Sequence, residues 1–247
     1  MNHLKDVQSN WNNYAKKSPL WAIIGPSRKS NKEWVKEDFF ATGIDEINTI
    51  LSELQALRID LRKGRALDFG CGVGRLTQAL ATHFSEVDGI DIAPEMIQLA
   101  RKYNRYGNVC KYYLNESETI DLFGDNTFDF IYCNLVLQHM KPEFSKQYIN
   151  EFFRILAPKG VVIFQIPSNM LNIYCKVFYK MLFPIQKFLY NKVNIPVMEM
   201  HAIYHNDVIK LFENNKAKII YVKKLPPGRC FEYYRYCAAK VNNLSVI

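Results

Sequence analysis

The stretch Leu67-Asp68-Phe69-Gly70-Cys71-Gly72-Val73-Gly74-Arg75 decides how this chain is read. A short apolar run enters it, glycines stand at alternate positions, and a helical pattern leaves it. Glycine turns the backbone tightly and lets a ligand approach where a Cβ would block it. The opening turn of a helix adds unpaired amides that favour a carboxylate or a phosphate. At 21 residues past Gly70, Asp91 closes the next apolar run, where a carboxylate accepts hydrogen bonds from ribose hydroxyls. A dinucleotide fingerprint asks for a small residue at the place of Arg75, and Arg75 is bulky. Asp68, ahead of the first glycine, suits an ammonium or a water network beside an amino-acid group.

Outward from this loop, strands and helices alternate. Residues 66–69, 87–92, 109–114, 128–133 and 161–166 read as strands, and 74–84, 94–103 and 144–156 as helices. Pro94 suits the first turn of its helix. Such alternation predicts a doubly wound α/β chain, a mostly parallel sheet covered on both faces. Residues 216–223 and 231–240, joined through Pro226-Pro227-Gly228, read as an antiparallel closing pair, with Asn206 capping a helix ahead of them. Upstream, Thr42 and Asp45 resemble a capping box opening a helix that carries Ile44, Ile47, Leu51, Leu54 and Leu57. The preceding residues are polar and broken by Pro19, Gly25 and Pro26, with Trp11, Tyr14, Trp21 and Trp34 as apolar anchors. Residues 1–60 therefore read as an N-terminal helical cap, and 61–247 as the main domain, with a helical lid inserted at about 169–200.

The chain has 247 residues, 49% hydrophobic and 23% charged, enough apolar material for one large core and too ordered in composition for a disordered or collagen-like chain. Residues 160–175, the longest charge-free apolar run, are interrupted by Gln165, Pro167, Ser168, Asn169 and Asn172, too polar to span a bilayer. With no apolar leader at the N-terminus, the expected location is cytoplasmic. The 6 cysteines form no C-x-x-C pair and accompany no histidine cluster, so no metal site is expected. A net charge of +8 favours anionic partners.

Ribose and amino-acid recognition in one loop point to S-adenosylmethionine. At this point the chain resembles the class I S-adenosylmethionine-dependent methyltransferases, through ALDFGCGVGRLTQALA, VDGIDIAPEMIQLAR, FDFIYCNLVLQHM and RILAPKGVVIFQIPS, in order over roughly residues 65–168. WNNYAKKSPLW and MEMH resemble, less specifically, a bacterial small-molecule subgroup. The resemblance implies a seven-stranded sheet whose last strand inserts antiparallel. It implies that Asp68, Gly70, Gly72 and Gly74, with Cys71 in the same loop, line the methionine end of the cofactor. It places Asp91 at the ribose hydroxyls, Ile92 and Met96 beside the adenine, Asn115 or Glu116 near the adenine amine, and Asn134 by the methionine portion.

Methyl transfer from a sulfonium releases a neutral thioether, so positioning and exclusion of water supply much of the rate. An oxygen acceptor also needs a base, for which His201 is the first candidate and His139 the second. No carboxylate pair follows the fourth strand, so metal-free chemistry is expected. The main reading is methylation of an oxygen or nitrogen of a small polar metabolite, anionic or sugar-containing. A second is methylation of a membrane-associated lipid or quinone; a third is a cofactor-binding protein without turnover. Nucleic acid is the weakest partner, for want of a recognition helix, a zinc module or an amide-methylation motif. Lys176, Lys180 and Lys187 against Val177, Met181, Ile185 and Phe188 make 174–192 either a lid, with Pro184 breaking its helix, or a peripheral dock on an anionic membrane.

Overall fold

The computed structural model describes residues 3–25, 34–192, 195 and 197–241. Parts of the expected cap, including Pro26, and of the expected lid lie outside the described residues, as do 242–247. The chain begins with α1 (His3–Lys17), α2 (Pro19–Ile24) and α3 (Lys36–Ala56). There follow β1 (Arg65–Phe69), α4 (Arg75–Leu80), β2 (Glu86–Asp91), α5 (Pro94–Tyr103), β3 (Cys110–Leu114), β4 (Phe128–Cys133), α6 (Pro142–Ile155) and β5 (Leu156–Met170). After β5 come α7 (Ile173–Val177), a π-helical turn (Phe178–Leu182), α8 (Phe183–Lys192), α9 (His205–Asn214), β6 (Ala217–Leu225) and β7 (Phe231–Lys240).

The strands form one 7-stranded sheet in the order β3-β2-β1-β4-β5-β7-β6. β1 pairs parallel with β2 and β4, β2 with β3, and β4 with β5. Only β7 runs antiparallel, wedged between β5 and β6, as the closing hairpin requires. The chain leaves β1 in one direction for β2 and β3 and returns on the other side for β4. That reversal opens a crevice at the carboxyl ends of β1 and β4, where ligands settle in such sheets.

Alternation along the strands divides the core between the two faces. Leu67, Ile131 and Phe164 pack with Ile149 and Phe152 of α6 and Phe212 of α9. On the opposite face Ala66, Phe130 and Ile163 pack with Ile47, Ile50 and Leu54 of α3 and Leu80 of α4. α3 is thus one of the layer helices, although it falls within the expected cap. It starts at Lys36 rather than Thr42, with Glu37 and Asp38 in the first turn, where the helix dipole favours acids. Thr42 lies inside the helix, its hydroxyl donating to the Phe39 carbonyl at 2.6 Å. Asn206 is likewise inside α9, which starts one residue earlier. Pro184 does not end the helix that carries it. The π turn just upstream widens the hydrogen-bond ladder, and the rod runs on to Lys192.

Candidate active site

The chain leaves β1 through a left-handed backbone, with φ of 74° at Gly70 and 53° at Gly72. A Cβ at Gly70 would stand 2.3 Å from Val136 Cγ2, and one at Gly72 would stand 2.8 Å from Ile23 Cδ1. The loop after β4 and helix α2 therefore lie against bare backbone, which only glycine permits here. Gly74 sits behind them as the residue preceding α4, beneath the Tyr112 hydroxyl.

Asp91 joins this loop to the end of β2. The Gly72 amide donates to its Oδ2 and the Ala93 amide to its Oδ1, both at 2.9 Å. Burial raises its pKa and these amides oppose the rise. Each oxygen keeps a lone pair for a further donor, and the residue lines a pocket. Ile92, Met96 and Asn115 continue that wall. Asn115 Nδ2 donates to the Thr119 carbonyl at 3.1 Å. Glu116 is outside the wall, its carboxylate accepting from Gln8 Nε2 at 2.6 Å, and Gln8 also donates to the Ile92 carbonyl at 2.9 Å. Helix α1 is pinned across the end of β2 by these bonds.

The end of β4 supplies the facing wall. Leu135 holds a left-handed φ of 61°, a strained state for a non-glycine residue of the sort that collects at functional sites. Asn134 lines the pocket; its Nδ2 donates to Glu46 Oε1 at 2.6 Å, and its Oδ1 is buried without a partner. Glu46, on α3, also accepts from the Tyr132 hydroxyl at 2.8 Å and from the Arg75 guanidinium at 2.9 Å. Arg75, too large for a dinucleotide fingerprint, is thereby turned away into the seam between α3 and α4. Gly43 makes that seam close, since a Cβ there would stand 2.5 Å from the Arg75 carbonyl oxygen.

Asp68 and Cys71 lie behind the pocket wall. Asp68 accepts from the Thr77 hydroxyl at 2.7 Å, and burial lifts its pKa to about 7. The buried Cys71 thiol is pushed well up by desolvation and by the Asp91 and Asp68 carboxylates, and it donates to the Gly72 carbonyl at 3.6 Å. It is a packed thiol, without the thiolate character that nucleophiles need.

The two histidines are placed differently. His139 lines the pocket, edge-on to Trp11 at 5.2 Å. Burial holds its pKa down at about 4, so it is neutral near pH 7. Its Nδ1 donates to the Glu199 carbonyl at 2.8 Å, which leaves Nε2 as acceptor, 3.1 Å from the Gln138 amide nitrogen. His201 stands outside the pocket wall, its amide donating to the Gln138 carbonyl at 2.7 Å and its Nε2 lying 3.5 Å from Glu199 Oε2. The neighbouring His201 and Lys187 hold the Glu199 carboxyl down at about 2.

Over the pocket, Leu4, Val7 and Trp11 of α1 and Ile23 of α2 form an apolar roof. The space between this roof and the glycine loop, its open mouth and solvent included, is about 760 Å³. The unsatisfied Asn134 Oδ1 suits an ammonium, the Asp91 carboxylate suits ribose hydroxyls, and the bare glycine backbone lets a ligand settle between them. These residues fit S-adenosylmethionine. Among the described residues no cluster of three or more His, Cys, Asp or Glu is placed to hold a metal.

Sequence reasoning brought forward the glycines, Asp91, Ile92, Met96, Asn115, Asn134 and His139, which the structure gathers around one cavity or its edge. It missed Glu46, whose partners are distant in sequence and leave no local signal. It expected an N-terminal helical cap with Trp11 as an anchor but did not single out Leu4 and Val7, which recur with Trp11 at helical spacing.

Residues 67–164 match the model of a methyltransferase domain family. The ubiquinone biosynthesis O-methyltransferase of Xanthomonas oryzae pv. oryzae is 28% identical over 128 residues, 51% of this chain and 53% of that protein. The protein of that name from Xanthomonas campestris pv. campestris is 30% identical over 108 residues, 43% of this chain and 45% of its own. The chain thus spans about half the length of the curated relatives it matches. Among solved structures, magnesium protoporphyrin IX methyltransferase from Synechocystis PCC 6803 with bound SAH superposes with a TM-score of 0.67 at 20% identity, over 97% of this chain and 100% of that one. A SAM-dependent methyltransferase from Methanosarcina mazei gives 0.57 at 23% identity, over 75% and 97%. These structural likenesses show the fold. Sheet order and glycine loop agree with the family match: residues 67–164 are a methyltransferase domain, in the fold of the class I S-adenosylmethionine-dependent enzymes.

Proposed function

We propose that this chain moves a methyl group from S-adenosylmethionine to an oxygen or nitrogen of a small acceptor. The observation that carries the reading is the pairing, in the lining of one roofed pocket, of Asp91 with Asn134, whose Oδ1 has no partner. In this reading Gly70, Gly72, Asp91, Ile92, Met96, Asn115 and Asn134 touch the cofactor. Asp68, Cys71, Gly74 and Glu116 shape the wall from behind. The capping role belongs to α1 and α2, while α3 serves the sheet layer.

S-adenosylmethionine supplies an electrophilic methyl group and leaves as a neutral thioether, so no acid is needed on the leaving side. The apolar roof excludes water and holds the reactants together. His139 accepts a hydrogen bond or a proton from the nucleophile at Nε2 in exchange for the Gln138 amide that occupies it, its tautomer fixed by the Glu199 carbonyl. His201 acts at one remove, through the Glu199 residue that both histidines contact. A base held near pKa 4 is weak, and it serves best an acceptor with an acidic hydroxyl, such as a phenol or an enol, rather than a sugar alcohol. The predominantly apolar wall supports an acceptor with an apolar body. The O-methyltransferase names of the curated relatives agree with an oxygen acceptor, and ubiquinone agrees with a quinone-like one. The net charge of +8 supports the other reading, a small anionic or sugar-containing metabolite.

An acceptor panel of alkylated phenols and quinols, sugars, nucleotide sugars and amines, scored by release of S-adenosylhomocysteine, tests this. Turnover is expected with acidic hydroxyls on apolar bodies. Turnover confined to sugars would return the polar-metabolite reading. Tight cofactor binding with no turnover on any acceptor would leave a binding protein.

A further inference from the structure

The segment after β5 is built unlike the rest of the molecule. α7, the π turn and α8 form one rod from Ile173 to Lys192 that meets the body along a narrow strip. Cys175 is buried there, the Tyr179 ring lies 5.2 Å from Phe231, and Lys187 pairs with Glu199. The rest of the rod is apolar and open to solvent: Ile173 is 64% exposed, Tyr174 82%, Met181 63%, Leu182 54%, Ile185 59% and Leu189 55%. Patches of this kind on a folded chain mark a surface that something covers.

Charge says what covers it. Residues 169–198 contain Lys176, Lys180, Lys187 and Lys192 and no Asp or Glu. Lys187 is spent on Glu199, which separates it from the other lysines of its helical stripe. Lys176 and Lys180 are exposed and form no ion pair with a described residue. Exposed Arg229, at the tip of the β6–β7 hairpin, adjoins α7, where its carbonyl accepts from the Cys175 thiol at 3.9 Å. A second copy docked face to face would oppose lysine to lysine with no acid to pair them. An anionic lipid surface satisfies both properties at once, taking the apolar side chains into its acyl boundary and the cations among its headgroups.

We infer that the solvent-facing side of the 173–190 rod is a peripheral docking surface for an anionic bilayer. The inference stands on exposure and charge and does not rest on the methyl-transfer reading. It would also set the pocket mouth near the lipid, because Lys187 ties the rod to Glu199 and the Glu199 carbonyl holds His139 in the pocket wall.

Co-sedimentation of the full chain with phosphatidylcholine vesicles, with and without phosphatidylglycerol, tests it. Binding is expected to the phosphatidylglycerol vesicles and to weaken as salt is raised. Lys176→Gln with Lys180→Gln should weaken it about 25-fold, at about fivefold per cation. Met181→Glu with Ile185→Glu should abolish it. Calorimetry with S-adenosylhomocysteine checks that each variant is folded, and unchanged affinity is expected. Wild-type chain left in the supernatant, or pelleted equally in all variants, would overturn the proposal. Equal binding to pure phosphatidylcholine would overturn its anionic basis. A dimer in solution that Ile185→Glu dissolves, with no vesicle binding, would assign the face to a second copy. Vesicle binding by a chain that takes up no S-adenosylhomocysteine would support the dock and sink the methyl-transfer reading.

Discussion

The glycine loop and the 173–190 rod invert each other. At the ends of β1 and β4 the backbone turns through left-handed residues at Gly70, Gly72 and Leu135, the surrounding side chains are buried or half-buried, and at the end of β2 backbone amides hold the Asp91 carboxylate. Along the rod the backbone is helical, the apolar side chains face water, and its contacts with the body are few. The first region has its geometry set by its neighbours; the second has a composition whose partner lies outside the chain. Burial alone therefore separates a site that is prearranged from a surface that awaits contact. A mutation should cost stability and ligand affinity together in the first, and neither in the second.

The largest effect that would break this contrast concerns Gly70. Gly70→Ala puts a Cβ into Val136 at a left-handed φ, and S-adenosylhomocysteine affinity should drop beyond detection while stability falls by about 3 kcal/mol. Adding Val136→Ala should recover part of both, since it removes the atoms met but not the strain. Thermal unfolding and calorimetry measure the two quantities, and an unperturbed Gly70→Ala would mean the loop is not prearranged.

Asp91→Ala comes next, with about a 100-fold loss of S-adenosylhomocysteine affinity for two hydrogen bonds to a charged acceptor. Unchanged affinity would remove the ribose assignment.

His139→Gln should lower turnover by about 10²-fold or more, with cofactor affinity nearly kept. It should also alter the pH dependence of stability. The folded-state pKa of His139, about 4, lies below its usual 6.5, so the unfolded chain takes up the extra proton as pH falls through that interval. Stability from this group is full above 6.5 and lost by 4, about 3 kcal/mol in all. Asp68, with its pKa raised to about 7, works in the opposite sense, its contribution lost as pH rises from 3.8 to 7. The difference between His139→Gln and wild type isolates the histidine, and parallel stability curves would show that His139 is not held neutral by burial.

The smallest effect belongs to the rod. Met181→Glu with Ile185→Glu should change unfolding free energy by no more than about 0.5 kcal/mol per site, because both side chains are already in water. A larger loss would mean that the rod packs more firmly than its exposure implies.

Much of the sheet was legible in the sequence because the strands after the loop carry their signals locally. Apolar runs bounded by Gly74, Pro94 and Pro226-Pro227-Gly228 gave the alternation and the antiparallel hairpin. The start of α3 was misread because Thr42 and Asp45 imitate a cap, while the true first turn is marked only by Glu37 and Asp38. Pro184 was read as a break because a π turn upstream of a proline has no composition of its own. In the pocket, Asn115 and Glu116 were indistinguishable in sequence, and it took Gln8, reaching over from α1, to draw Glu116 away. The order of His201 and His139 was equally hidden, since proximity to a pocket is a property of the folded loops. Glu46 had no signal at all, because the groups it gathers meet only when α3 lies on the sheet.

The account rests on a single pocket shaped for S-adenosylmethionine. Titration of the purified chain with S-adenosylhomocysteine by calorimetry tests it most directly. Saturable binding of one molecule per chain, weakened about 100-fold by Asp91→Ala, is the result expected. A folded chain that takes up neither S-adenosylhomocysteine nor S-adenosylmethionine would contradict it.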